Sequence, residues 1–156
     1  ERGYYTTTPQ TFGQYIRKER IDRGMTARQM AGQIGCTQDI LLTWEQDNRT
    51  PGIRNLRRIL QQIEIPQKYL KTALSKKYDI DKSLLFNSEE IKERLLNGEA
   101  GKGGVLRAMR LSRLKTHREM AKEMNIDPST LLDWENERHK PMRKMVERIK
   151  SFLLND

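Results

Sequence analysis

The sequence predicts an all-α protein built from two tandem domains of four to five short helices each, joined by a partly helical connector. Three observations lead there. The segment from Gly13 to Ile59 returns at a constant offset of ninety residues without insertion or deletion. About fifteen of some fifty aligned positions are identical, so the repeat must be read before anything else. Apolar residues such as Ile16, Ile21, Met30, Ile34 and Leu41 recur at helical spacing, and no alternating strand pattern competes with them. At 156 residues the chain divides naturally into two small domains rather than one. The expected layout is an N-terminal arm over residues 1–11, a first domain over 12–75, a connector over 76–101 and a second domain over 102–156.

In the first copy, Thr11 caps a helix running from about Phe12 to Arg23, which Gly24 ends. Thr26, with Gln29 three residues on, has the capping-box pattern and opens a second helix to about Ile34, with Gly35 as its stop. Thr37 caps a third helix through about Gln46. Residues 47–51, ending in Pro51, then form a loop before a fourth helix from Ile53 to about Gln62. Pro66 to about Ser75 places Tyr69, Leu70, Ala73 and Leu74 on one face of a fifth helix.

The region from Pro66 to Gly101 does not repeat. Ser88 to Asn97 reads as a short capped helix bearing Ile91, Leu95 and Leu96. Leu84, Leu85, Phe86, Ile91 and Leu95 make the connector too apolar for a plain linker, so they are expected to dock either on the chain's own domains or on a second protomer or protein partner. Only Gly98 to Gly104 reads as a flexible hinge. The second copy then follows the plan of the first, with Thr116 and Glu119 as capping box, Asp127 as the next cap and Pro128 at the first helical position.

Two short helices joined by Gly35-Cys36-Thr37, or by Asn125-Ile126-Asp127, with Ala31 or Ala121 where they cross, is the arrangement of a helix-turn-helix. Each repeat resembles the Cro/phage-repressor (XRE) family of such domains. The matching pattern is Ala31, Gly35, Thr37, Leu41, Trp44-Glu45 and Pro51, and it covers about 100 residues when both copies are counted. The resemblance implies a Cro/C1-repressor-like fold in a bacterial or phage-like transcription regulator that binds double-stranded DNA, as a repressor by default because occupancy alone blocks polymerase. It implies that the helix beginning at Thr37, and its copy at Asp127, enters the major groove. Gln38, Asp39, Leu42 and Thr43 would then read bases in the first copy, and Ser129, Leu132 and Asp133 in the second. Because these sets differ, the chain is expected to act as a single-chain pseudo-dimer on an asymmetric, bipartite site.

Neither of these helices carries Lys or Arg, so affinity has to come from the flanks. Arg28, Asn48, Arg49 and Arg54 in one copy, and Arg118, Arg138, His139, Lys140, Arg143 and Lys144 in the other, are the expected phosphate contacts. The resemblance also implies buried ion pairs, Arg20 with Glu45 and Arg110 with Glu135, between the first and third helices of each copy. Trp44 and Trp134 lie on the apolar face with Leu41 and Leu131 and are expected in the core. The alternative is a protein-interaction module, such as an antitoxin or a DNA-bound adaptor, in which Pro128, Leu132 and Asp133 contact a partner.

The formal net charge of +9 resides in the repeats, about +3 over residues 12–65 and about +5 over 102–156. That balance favours nucleic acid over membrane, since no segment pairs a basic face with a broad Trp/Phe/Leu face. Single-stranded RNA is disfavoured by the lack of exposed aromatic residues. The one cysteine, Cys36, allows no internal disulfide and suits a reducing, cytoplasmic, nucleoid-associated setting. The first residue is Glu1, so a longer native chain is an open expectation. No catalysis, metal, cofactor or small-molecule substrate is expected. His117 and His139 have no ligand spacing with Cys36, and Gly101-Lys-Gly-Gly104 lacks the spacing of a phosphate loop.

Overall fold

The computed structural model describes residues 7–154, without the side chain of Leu154. The expected arm therefore falls largely, over residues 1–6, outside the described residues. Among the described residues the secondary structure is entirely helical. The described residues separate into two compact units, divided between Asp79 and Ile80.

The first unit contains α1 (Phe12–Asp22), α2 (Ala27–Ile34), α3 (Gln38–Glu45), α4 (Ile53–Gln62) and α5 (Gln67–Tyr78). Their boundaries follow from local chemistry. Thr11 accepts from the amide of Gln14, Thr26 and Gln29 complete a capping box, and Thr37 accepts from the amide of Ile40. Gly35, at φ 92°, ends α2 in the left-handed conformation that turns the chain toward α3. Helices α1 and α3 pack together, α2 lies on α3 and α4, and α5 closes the unit against α1. Ile16, Met30, Leu41, Leu56, Ile59 and Leu74 are fully buried. Pro66 stands one position earlier than the sequence suggested, as the residue before α5 rather than its first member. Two hydroxyls tie α5 down: Tyr69 donates to the Pro9 carbonyl at 2.8 Å, and Tyr78 accepts from the Ile53 amide at 3.2 Å.

The second unit contains a short 3₁₀ turn (Lys82–Leu84), α6 (Ser88–Leu96), a second 3₁₀ turn (Glu99–Gly101), α7 (Gly103–Ser112), α8 (His117–Met124), α9 (Pro128–Glu135) and α10 (Arg143–Leu154). Helix α6 is capped by Asn87, whose side chain accepts from the Glu90 amide, and it packs on α7 and α10. Leu84, Ile91, Leu95 and Ala100 join Leu106, Met109, Met120, Leu131, Trp134 and Ile149 in one core.

Of the two dockings expected for the connector, the structure has the one on the chain's own domain: α6 packs within the second unit as one of its five α-helices. Leu84, Leu85, Ile91 and Leu95 are at most 3% exposed and Phe86 is half-buried, so these side chains do not present an open surface to a second protomer. Nor is Gly98–Gly104 a hinge. Ala100 is buried, and a Cβ on Gly103 would stand 1.9 Å from the Glu135 carbonyl oxygen. Gly103 is there because α7 runs against the end of α9 at backbone contact. Gly13 has the same role, its imagined Cβ 2.3 Å from the Trp44 carbonyl oxygen.

The duplication extends to the backbone where the residues have changed. Left-handed conformations occur at Gly24 and Leu114, at Gly35 and Asn125, and at Asp47 and Glu137, each pair ninety positions apart.

Candidate nucleic-acid interface

Each unit offers one face built on its helix-turn-helix. In the first, the α2–α3 turn sets Thr37 as cap, and the inward positions Leu41, Trp44 and Glu45 fix the rotation of α3. That rotation leaves Gln38, Asp39 and Ile40 exposed and Leu42 and Thr43 half-buried. Among the described residues, the side chains of Gln38 and Asp39 engage in no hydrogen bond or ion pair, so an amide and a carboxylate stand open at the start of the helix. Thr43 donates its hydroxyl to the Ile40 carbonyl at 2.6 Å, which leaves it an acceptor only. Ile40, 40% exposed, was not singled out by the sequence pattern; it follows from the same inward set, which turns the third residue of α3 to solvent.

The second unit presents α9 at the same rotation, with Leu131, Trp134 and Glu135 inward. Its outward chemistry differs. Pro128, where the first copy has Gln38, offers no hydrogen bond. Ser129 donates its hydroxyl to the Asp127 carboxylate at 2.5 Å, and its amide donates to the same oxygen at 2.8 Å. These bonds, the side-chain one foremost, hold the Asp127 carboxyl below its ordinary value. Asp133 is half-buried and lies 3.6 Å from the Arg138 guanidinium. Leu132 is 39% exposed and Met142 78%. Met142, in the loop before α10, has Gly52 as its counterpart and gave no signal in the sequence.

The basic residues of the flanks lie at the surface. Arg28 and Arg118 are exposed in the first turns of α2 and α8. Asn48, Arg49 and Arg54 are exposed around the loop and start of α4, and Asn48 donates to the Gln46 side chain at 3.1 Å. Arg138, His139, Lys140, Arg143 and Lys144 are exposed around the loop and start of α10.

Behind each face sits a buried ion pair. Arg20 donates to both carboxylate oxygens of Glu45, from Nε at 2.7 Å and Nη2 at 2.9 Å, and to the Met25 carbonyl at 3.0 Å. Arg110 does the same to Glu135 at 2.8 and 3.0 Å and to the Lys115 carbonyl at 2.9 Å. All four residues are at most 3% exposed. The second copy adds one partner and draws another closer. Arg107 lies 3.3 Å and the His117 Nε2 3.1 Å from Glu135. Arg17 is more distant from Glu45, at 3.9 Å, and Ala27 occupies the place of His117. Burial pushes the Glu135 carboxyl up, but the bonds from His117 and Arg110 outweigh it and leave the group below its ordinary value of 4.5.

Among the described residues no cluster of His, Cys, Asp and Glu could hold a metal ion, and no helix is long and apolar enough to cross a membrane. Burial raises the Cys36 thiol, with Arg58 acting in the opposite direction.

Comparison with known families matches the two faces separately. Residues 13–76 match a family described as a helix-turn-helix domain, and residues 106–153 match another described as helix-turn-helix. No curated protein and no solved structure matches the chain. Such domains suggest a DNA-binding regulator, and the families that carry them are typically non-enzymatic. The chain carries two helix-turn-helix domains of the XRE type in tandem, and its described residues form helices without strands.

Proposed function

We propose that the protein is a sequence-specific, double-stranded-DNA-binding transcriptional regulator without catalytic activity, and that it represses by occupancy. The observation that carries this reading is the first face: Gln38 and Asp39 open at the start of α3, with Arg28, Arg49 and Arg54 exposed on the flanking elements. A glutamine can bond adenine bidentately, a carboxylate can accept from cytosine N4, and Leu42 and Ile40 can meet a thymine methyl. The arginines supply phosphate contacts, and Arg28 adds its charge to the helix N-terminal dipole. A tandem pair of such domains acts as a pseudo-dimer within one chain, and because the two faces differ, its site is asymmetric.

The test is equilibrium binding of the intact chain to a duplex selected from random DNA. We expect nanomolar-range binding that weakens steeply with salt. Gln38→Ala should lower affinity for the selected duplex by about 5–150-fold, the equivalent of 1–3 kcal/mol for one bidentate contact. A chain that retains no duplex at low salt refutes the proposal.

One observation favours a second reading. Leu132 and Met142 are exposed apolar side chains on the face where the other unit has a half-buried leucine and a glycine. They fit a protein partner at the second domain, as an adaptor or antitoxin would require. A stoichiometric protein complex insensitive to salt, lost in Leu132→Asp, would support that reading over DNA contact by this domain.

A further inference from the structure

We propose that the two heads divide the work of recognition: the first reads sequence, and the second holds the duplex by its phosphates without discriminating among bases. This rests on the DNA-binding reading above and deepens it.

Equivalent positions on the two heads differ in what they offer a base. Direct readout needs donors and acceptors that are open before DNA arrives, because each one must face a base edge. On α3 the first two positions are Gln38 and Asp39, exposed and without partners among the described residues. On α9 those positions are Pro128 and Ser129. The Pro128 ring has no donor or acceptor, and the hydroxyl proton of Ser129 already goes to Asp127, which leaves that oxygen an acceptor only. At the sixth position, Asp133 faces Arg138, so its negative charge is compensated within the protein. One of its oxygens is turned to that cation, and over any base other than cytosine the carboxylate would repel the phosphates around it. Leu132 and the half-buried Thr130 remain, an apolar contact and one short hydroxyl where the first head offers an amide and a carboxylate.

Charge runs the other way. Around the first face the exposed cations include Arg28, Arg49, Arg54 and, at the α2–α3 turn, Arg58; around the second they include Arg118, Arg138, Lys140, Arg143, Lys144 and Arg148, with His139 beside them. The head poorer in open hydrogen-bonding groups is the richer in phosphate ligands. Phosphate contacts fix position and add affinity but carry no base information. A clamp of this kind lengthens the footprint and steepens the salt dependence without lengthening the motif.

The experiment is selection from a pool of random 40-base-pair duplexes with the intact chain, repeated with Gln38→Ala plus Asp39→Ala, with Ser129→Ala plus Leu132→Ala, and with Lys140→Ala plus Lys144→Ala. Thermal melts confirm folding of each. The expected result is one short block of enriched positions inside a longer protected footprint. That block disappears or changes with the first variant and is unaltered by the second. The third keeps the block but lowers the slope of log affinity against log salt by about 1.8, at about 0.9 for each phosphate no longer neutralised. Two blocks of enriched positions, with one altered by Ser129→Ala plus Leu132→Ala, would overturn the division of labour while leaving DNA binding intact. An unchanged salt slope in the third variant would equally overturn it. If no duplex is retained at low salt, the DNA-binding reading itself fails, and this inference with it.

Discussion

Replacing Glu135 by alanine should unfold the second domain well below the temperature at which the first melts. Glu135 is a hub: Arg110 holds both of its oxygens, Arg107 and His117 each approach one of them, and its side chain has no exposed surface. Arg110 is 2% exposed, so the substitution strands a guanidinium where water cannot reach it, with the Lys115 carbonyl as its remaining partner among the described residues. Breaking a buried pair on one side costs about 3–5 kcal/mol. For a domain of this size each kcal/mol is worth about 4–8 °C, so the transition should fall by tens of degrees. The assay is calorimetry of the intact chain, which resolves the two domain transitions. The informative control is Arg110→Met combined with Glu135→Leu, which removes both charges and fills the space; it should recover most of the loss, since a buried pair is often worth little against well-packed apolar groups. A loss below about 1 kcal/mol in Glu135→Ala would refute the claim that the pair is buried and coupled.

Acid should act through the same carboxylate. Its folded-state value lies below 4.5, so its contribution is fully present above the unfolded value and is lost as pH falls below about 4.5 through the folded one; His117→Ala should move that loss to higher pH, as read by melts of the second domain between pH 5 and 3. Gly103→Ala tests backbone contact against propensity: helix propensity alone would stabilise by about 1 kcal/mol, whereas the 1.9 Å approach to the Glu135 carbonyl predicts a loss of at least about 2 kcal/mol by chemical denaturation. Glu137 is exposed and left-handed at φ 58°, so Glu137→Asn should raise stability by about 0.5–1 kcal/mol, and a loss in the same assay would show that its side chain has a role beyond the turn.

The legible part of the structure was the part that repeats or caps. Thr26 with Gln29 and Thr116 with Glu119 announce helix starts because their side chains satisfy amides that the helix itself cannot. The inward face of α3 could be read from Leu41 and Trp44, and that fixed which residues face outward. The membership of α6 was not legible, because an apolar face shows that a helix docks and not on what. The glycines of 98–104 misled for a definite reason. Composition reports backbone freedom, whereas Gly103 is required by a close approach that only the fold creates; its match to Gly13 in the repeat was the available clue. That the two candidate faces differ was legible from the residues; the bond from Ser129 to Asp127 and the pairing of Asp133 with Arg138 were not, because they depend on side-chain geometry.

The fifth helix of each domain comes from opposite sides of its repeat: α5 follows the first, and α6 precedes the second. The segment that was copied is therefore not the segment that folds. On the ribosome, the first domain stays incomplete until Tyr78 has emerged, and α6 then waits with Ile91 and Leu95 uncovered until α7 and α10 arrive. A recombinant fragment or a domain exchange cut at residue 102, where the sequence repeat suggests the seam, would strip the second domain of one wall of its core. Cut between Asp79 and Ile80, each half takes its own closing helix with it.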